Sequence, residues 1–129
     1  NREPVRWQEG PILLDSTIAR GNNESGNVLR VKTVWTTDTQ IDKPYSIFVH
    51  GVDDVGRLVT QADGQPLDGR WPTTCWQPDA QFADEFELQV PDGISSDDLR
   101  IRLGFYWLPT GERVLIEPDG QDAVELLRS

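Results

Sequence analysis

The sequence predicts an all-β fold, an antiparallel β-sandwich of about eight strands, jelly-roll-like or immunoglobulin-like. Three observations carry this. Apolar residues alternate with polar ones at period two in several segments. Gly, Pro, Asn and Asp clusters separate those segments at intervals of about ten residues, the rhythm of sandwiches and barrels. Helix signals are scarce.

The first expected strand, Ile12 to Ala19, is weak and is placed at an edge or closing a sheet. Val28 to Trp35 puts Leu29, Val31, Thr33 and Trp35 on one face and Arg30 and Lys32 on the other. Tyr45 to Asp53 and Arg57 to Asp63 read as a hairpin through Asp54-Val55-Gly56, a type I turn followed by Gly56 in the left-handed region. That register sets His50 opposite Thr60 and Phe48 opposite Ala62. Phe82 to Val90 faces Phe82, Phe86, Leu88 and Val90 inward and Ala83, Glu85, Glu87 and Gln89 outward. Ser95-Ser96-Asp97-Asp98 can cap a single helical turn. Leu99 to Trp107 is the cleanest alternation; Arg100 and Arg102 take its wet face, with Glu85 and Glu87 as expected cross-strand partners. Val114 to Ile116 and Ala123 to Leu127 complete the set.

Between Asp63 and Phe82 lies a long stretch without strand pattern that holds Trp71 and Trp76 and three prolines. Connections of that length are uncommon unless functional or packed by their own side chains. Trp76 is expected to anchor it and Trp71 to present the exposed ring.

The chain has 129 residues, 36% of them hydrophobic and 26% charged, which is enough for one globular core. It reads as a single domain, 1–129, with its core at about 10–127. Lys and Arg total 12 against 22 Asp and Glu, a formal charge of -10. Such a field repels phosphate backbones and anionic headgroups, so no nucleic-acid partner is expected, while neutral glycans, metal cations and basic protein surfaces stay open. Apolar runs such as Ile12 to Leu14 are too short for direct membrane insertion. There is no methionine, and the first residue is Asn1; the chain is expected to be a domain cut from a longer protein, or a processed product. The single cysteine, Cys75, excludes an internal disulfide and reads as a buried or half-buried spectator.

Phe48-Val49-His50, Asp63-Gly64-Gln65-Pro66-Leu67, Gly69-Arg70-Trp71-Pro72-Thr73-Thr74 and Trp76-Gln77-Pro78 form a long, spaced motif. It resembles the C-terminal extracytoplasmic β-sandwich domain of bacterial polytopic membrane proteins similar to dolichyl-phosphate-mannose-type glycosyltransferases. Val31 to Trp35, Asp84 to Pro91 and Leu103-Gly104-Phe105-Tyr106 with Thr110-Gly111-Glu112-Arg113 look like its flanking strands. Trp107-Leu108-Pro109 departs from that pattern, in which an Asp-containing turn is more usual. The resemblance implies a location outside the cytoplasmic membrane, tethered to a glycan-related parent. It carries over no catalytic residue.

The ligand-binding candidates are Asp68, Arg70, Trp71 and Gln77: indoles stack on the apolar faces of sugar rings, and the polar neighbours can bond hydroxyls. Packing of both indoles onto the sheet is the structural alternative. His50 can be a metal ligand or an acid-base group, or a satisfied structural residue bonded to a carbonyl, Thr60 or a carboxylate. Asp84 falls in the inward phase of its strand and must be paired or hydrogen-bonded. It can join Asp63 or Asp79 at a metal, or accept from loop N–H groups, His50 or the Trp76 indole. Asp53-Asp54, Asp97-Asp98 and Asp119 carry no calcium-loop spacing and read as turn residues. No metal site, cofactor or catalytic set is expected. The leading reading is a non-catalytic accessory domain of a membrane-anchored glycosyltransferase-like protein, binding envelope glycans through the 64–80 loop or docking on the parent's membrane domain. The alternative is a purely structural or protein-interaction module with no small-molecule ligand, its contact surface an apolar patch or a sheet edge such as the Ile12 to Ala19 strand.

Overall fold

The computed structural model describes residues 3–126. They form two stacked antiparallel sheets of five strands each. The strands are β1 (Val5–Trp7), β2 (Pro11–Asn23), β3 (Gly26–Thr37), β4 (Ser46–Val52), β5 (Leu58–Gly64), β6 (Phe82–Gln89), β7 (Arg100–Trp107), β8 (Glu112–Arg113), β9 (Ile116–Glu117) and β10 (Val124–Leu126). One sheet runs β6-β3-β2-β1-β9. The other runs β10-β7-β4-β5, with β8 beside the end of β7. In the second sheet the β4–β5 hairpin lies beside β7, and β10 pairs on the far side of β7. No helix of the described residues is long and apolar enough to cross a membrane.

The period-two segments become the central strands. Leu29, Val31, Thr33 and Trp35 of β3 are buried, as are Ile101, Leu103 and Phe105 of β7. Ser95 caps a single turn at Ser96–Asp98 by accepting from the Asp97 N–H at 3.3 Å. The β4–β5 turn is also as read: the Gly56 N–H donates to the Asp53 carbonyl at 3.0 Å, and Gly56 has φ 84, a conformation open to glycine at no steric cost. Asp53 serves this turn, accepting from Val55 and Arg57 N–H at 3.1 and 2.9 Å.

Several expectations are corrected. The hairpin register is offset by one: His50 opposes Gln61 and Phe48 opposes Asp63, because a bulge beside Gly51 consumes an extra β5 residue after Val52 pairs with Leu58. Ile12 to Ala19 is part of a longer strand, β2, lying between β3 and β1 rather than at an edge. Val114 to Ile116 is a crossover, not a strand; only Ile116 pairs, with Trp7 of β1. The expected last strand shortens to β10, and Leu127 lies outside the described residues. Glu85 and Glu87 oppose Lys32 and Arg30 of β3, with Arg30 Nε 3.2 Å from Glu87 Oε2. Arg100 and Arg102 belong to the other sheet, beside Glu125 and His50.

Four aromatic rings bridge the sheets. Trp35 lies 5.2 Å from Phe105, 5.7 Å from Trp7 and 5.7 Å from Trp76, all between ring centroids in tilted or edge-on geometry. The three tryptophans are at most 2% exposed and Phe105 is fully buried.

The outer face of the β4 sheet carries a second, smaller layer. Phe48 lies over Gly104 and is only 2% exposed. A Cβ at Gly104 would stand 2.5 Å from the Phe48 ring and 2.7 Å from the Asp122 carbonyl oxygen. The ring could tilt; the backbone oxygen has less freedom. Gly104→Ala is therefore expected to destabilise the fold by about 1–3 kcal/mol, measured as a lower urea midpoint at unchanged slope.

Candidate functional site

The long connections gather at one end of the sandwich. There the β1–β2 turn, the β3–β4 connection, the 65–81 segment and the β8–β9 connection are tied to one another. Gln8 N–H donates to the Leu115 carbonyl at 2.8 Å, and Asp79 N–H to the Thr37 carbonyl at 2.7 Å. Thr73, wholly buried, donates its hydroxyl to the Lys43 carbonyl at 2.6 Å and accepts from Tyr45 N–H at 3.0 Å.

The 65–81 segment contains no strand, only short turns at Pro66–Gly69 and Thr73–Cys75. Trp76 is its anchor, 2% exposed, meeting Phe82 edge-on at 4.8 Å and donating its indole N–H to the Trp71 carbonyl at 3.1 Å. Trp71 is 37% exposed. Cys75, expected to be at least half buried, is exposed. The turn directs Thr73 and Trp76 inward, which leaves Cys75 facing out.

The first turn is strained. Leu67 and Asp68 hold left-handed backbone (φ 52, ψ 43 and φ 55, ψ 37), followed by Gly69 at φ 86. Such a conformation costs a non-glycine residue about 1–2 kcal/mol and persists only when its surroundings fix it. Asp84 is the fixing group. Its carboxylate accepts from Leu67 N–H at 2.9 Å and from Glu85 N–H at 2.8 Å. Arg70 closes the turn, donating its backbone N–H and its Nε to the Leu67 carbonyl at 3.0 and 3.1 Å. A shallow groove of about 300 Å³ runs along this turn, lined by Asp68, Arg70, Asp84, Lys32 and Glu85.

The structure thus brings Asp68 and Arg70 together beside Asp84. Trp71 and Gln77 are not in the lining of that groove. Asp84 is 8% exposed, and its inward phase is resolved by the loop N–H bonds. Burial raises its pKa from 3.8, the two backbone bonds oppose the rise, Asp68 adds to it and Arg70 opposes it. Desolvation wins.

His50 and Asp63 lie on the other sheet's outer face. His50 Nε2 is 3.8 Å from Asp63 Oδ1, and its ring lies 4.8 Å from Phe48. Arg113 covers Phe48 at 4.3 Å and pairs with Asp122 at 3.2 Å. Burial lowers the His50 pKa from 6.5; Asp63 works against this, and Arg113 and Arg102 reinforce it.

A second concavity is absent from the sequence-based expectations. It measures about 380 Å³ and is lined by Glu9, Lys43, Tyr45, Trp107 and Glu112, among others. Tyr45 donates its hydroxyl to Glu9 Oε1 at 3.3 Å, and its pKa is raised to about 12 by burial first and then by Glu9. Its residues come from three separate segments, so no local spacing announces it. The one signal in the sequence is Trp107, an aromatic at the end of an alternating strand.

Neither protein-family models nor curated proteins give a match to this chain.

Asp84 and His50 make stability depend on pH with opposite signs. Asp84 holds its proton more tightly in the native state, so its contribution is full below pH 3.8 and is lost as pH rises through the raised native value. Urea unfolding across that range should show the stability of the wild type relative to Asp84→Asn falling as pH rises. His50 is held neutral, so its contribution is present above pH 6.5 and is lost as pH falls toward the lowered native value. His50→Gln should remove that part of the slope in the same titration.

Proposed function

We propose that this chain is a non-catalytic accessory domain of a membrane-anchored, glycosyltransferase-like protein, held on the extracytoplasmic side and binding glycan through the 64–80 loop. The observation that carries the reading is the strained Leu67–Gly69 turn, latched by a buried carboxylate and presenting Asp68 and Arg70 over a polar groove. Strain retained in a surface loop points to a role for that loop. A formal charge of -10 favours an uncharged partner over an anionic one. The motif running from Phe48 to Pro78 supports the parent and the location by resemblance.

One observation favours the structural alternative. Pro66, Thr73 and Trp76 of the loop pack inward, and Trp71 holds Trp76 through its carbonyl. A loop built this way can serve solely to close the open side between β5 and β6.

A glycan array separates the two. The wild type should bind at least one neutral glycan, and Arg70→Ala and Trp71→Ala should each weaken it by roughly tenfold, about 1.4 kcal/mol. Binding to no glycan would establish the structural reading instead.

A further inference from the structure

We propose that the groove between Trp107, Tyr45 and Glu9 is a binding site for a neutral pyranose, separate from the 64–80 loop. Its size, about 380 Å³, falls at the lower end of small-molecule sites. Its walls are prearranged. Tyr45 meets Trp107 edge-on at 6.0 Å, and Thr73 fixes the backbone of both Tyr45 and Lys43. Trp107 is held by the β7–β8 turn, where Thr110 and Gly111 N–H both donate to its carbonyl at 3.2 and 2.7 Å.

The chemistry selects the ligand. Lys43 Nζ lies 5.2 Å from the centre of the Trp107 ring, so that ring already attracts a positive partner. The axial C–H bonds of a pyranose carry small positive charge and suit the same ring. Glu9 uses one contact on Tyr45, and a carboxylate has capacity for several more. Sugar hydroxyls can donate to Glu9 and Glu112 and accept from Lys43. Arg113, also at the groove, is engaged by Asp122 and by the Phe48 ring. Among the described residues of the lining, two carboxylates then stand against the Lys43 ammonium, which disfavours an anionic sugar. The Tyr45 phenol, with its pKa raised to about 12, stays protonated throughout the neutral range and keeps its bond to Glu9.

The site does not require the loop to bind anything. The test is the Trp107 indole resonance in ¹H–¹⁵N spectra, assigned with Trp107→Phe, during titration of the intact chain with methyl β-glucopyranoside, methyl α-mannopyranoside and N-acetylglucosamine. At least one should shift it. Glu9→Gln and Lys43→Ala, both at exposed positions, should raise the apparent Kd roughly tenfold, the loss of one charge-assisted hydrogen bond. Asp68→Ala with Arg70→Ala should leave it unchanged. An unmoved indole with all three sugars, or equal titrations in wild type, Glu9→Gln and Lys43→Ala, overturns the site. Failure of the loop reading shows separately, as array binding insensitive to Arg70 and Trp71.

Discussion

The contact of Trp35 with Phe105 is the constraint on which the rest of the structure depends. Trp35 is near the end of β3 in one sheet and Phe105 near the end of β7 in the other, so their packing sets the spacing of the layers at the loop-bearing end. Trp7 joins from β1 and Trp76 from the loop, so one cluster unites both sheets and the longest connection. Buried indoles usually find acceptors for their N–H groups. Trp35 donates to Thr33 Oγ1 at 2.7 Å, whose hydroxyl in turn donates to the Asp84 backbone carbonyl at 3.2 Å. Trp76 donates back to its own loop. Trp7 is the exception, its buried indole N–H having no acceptor among the described residues. Through Trp35 and Thr33 the core reaches, by two hydrogen bonds, the residue that holds the strained turn.

Asp84 illustrates a balance of opposing terms. A carboxylate at 8% exposure is unfavourable in an apolar layer, and its pKa records this. An aliphatic residue there would fill the volume but leave the Leu67 N–H without its acceptor. The left-handed turn would then lose its fixing contact, and Asp68 and Arg70 their placement. The destabilised carboxylate and the strained backbone are two halves of one arrangement, each retained because of the other.

Legibility in the sequence followed the range of the interactions. Ile101, Leu103 and Phe105 face inward because the pleat sends alternate side chains to one face, and alternation is a local property. The turn at Asp53–Arg57 is likewise local. The bulge beside Gly51 was not legible. It depends on β5 fitting against β4 while β7 pairs on the other side, and one residue of offset changed His50's partner. β1 was missed because three residues carry no pattern; it forms because Trp7 packs beside Trp35 and Phe105. The groove at Trp107 was hidden for a related reason, as its walls meet only after both sheets have closed.

Acidic and basic side chains are distributed unevenly over the surface of this acidic chain. On the outer face of β3 and β6, Arg30 and Lys32 stand opposite Glu87 and Glu85, which neutralises that face locally. Exposed pairs of this kind add only about 0–1 kcal/mol to stability, so their main effect is on the field. On the β4 sheet, Arg113 is neutralised by Asp122 and covers Phe48, which takes it out of play as a free cation. With these cations engaged, the acidic excess dominates the field at the surface. The groove at Trp107 presents Glu9 and Glu112 beside aromatic rings, with the Lys43 ammonium over the Trp107 ring. At the groove beside the strained turn, Arg70 is already bonded to the Leu67 carbonyl, and Asp68, Asp84 and Glu85 surround it. That arrangement disfavours anions at both grooves.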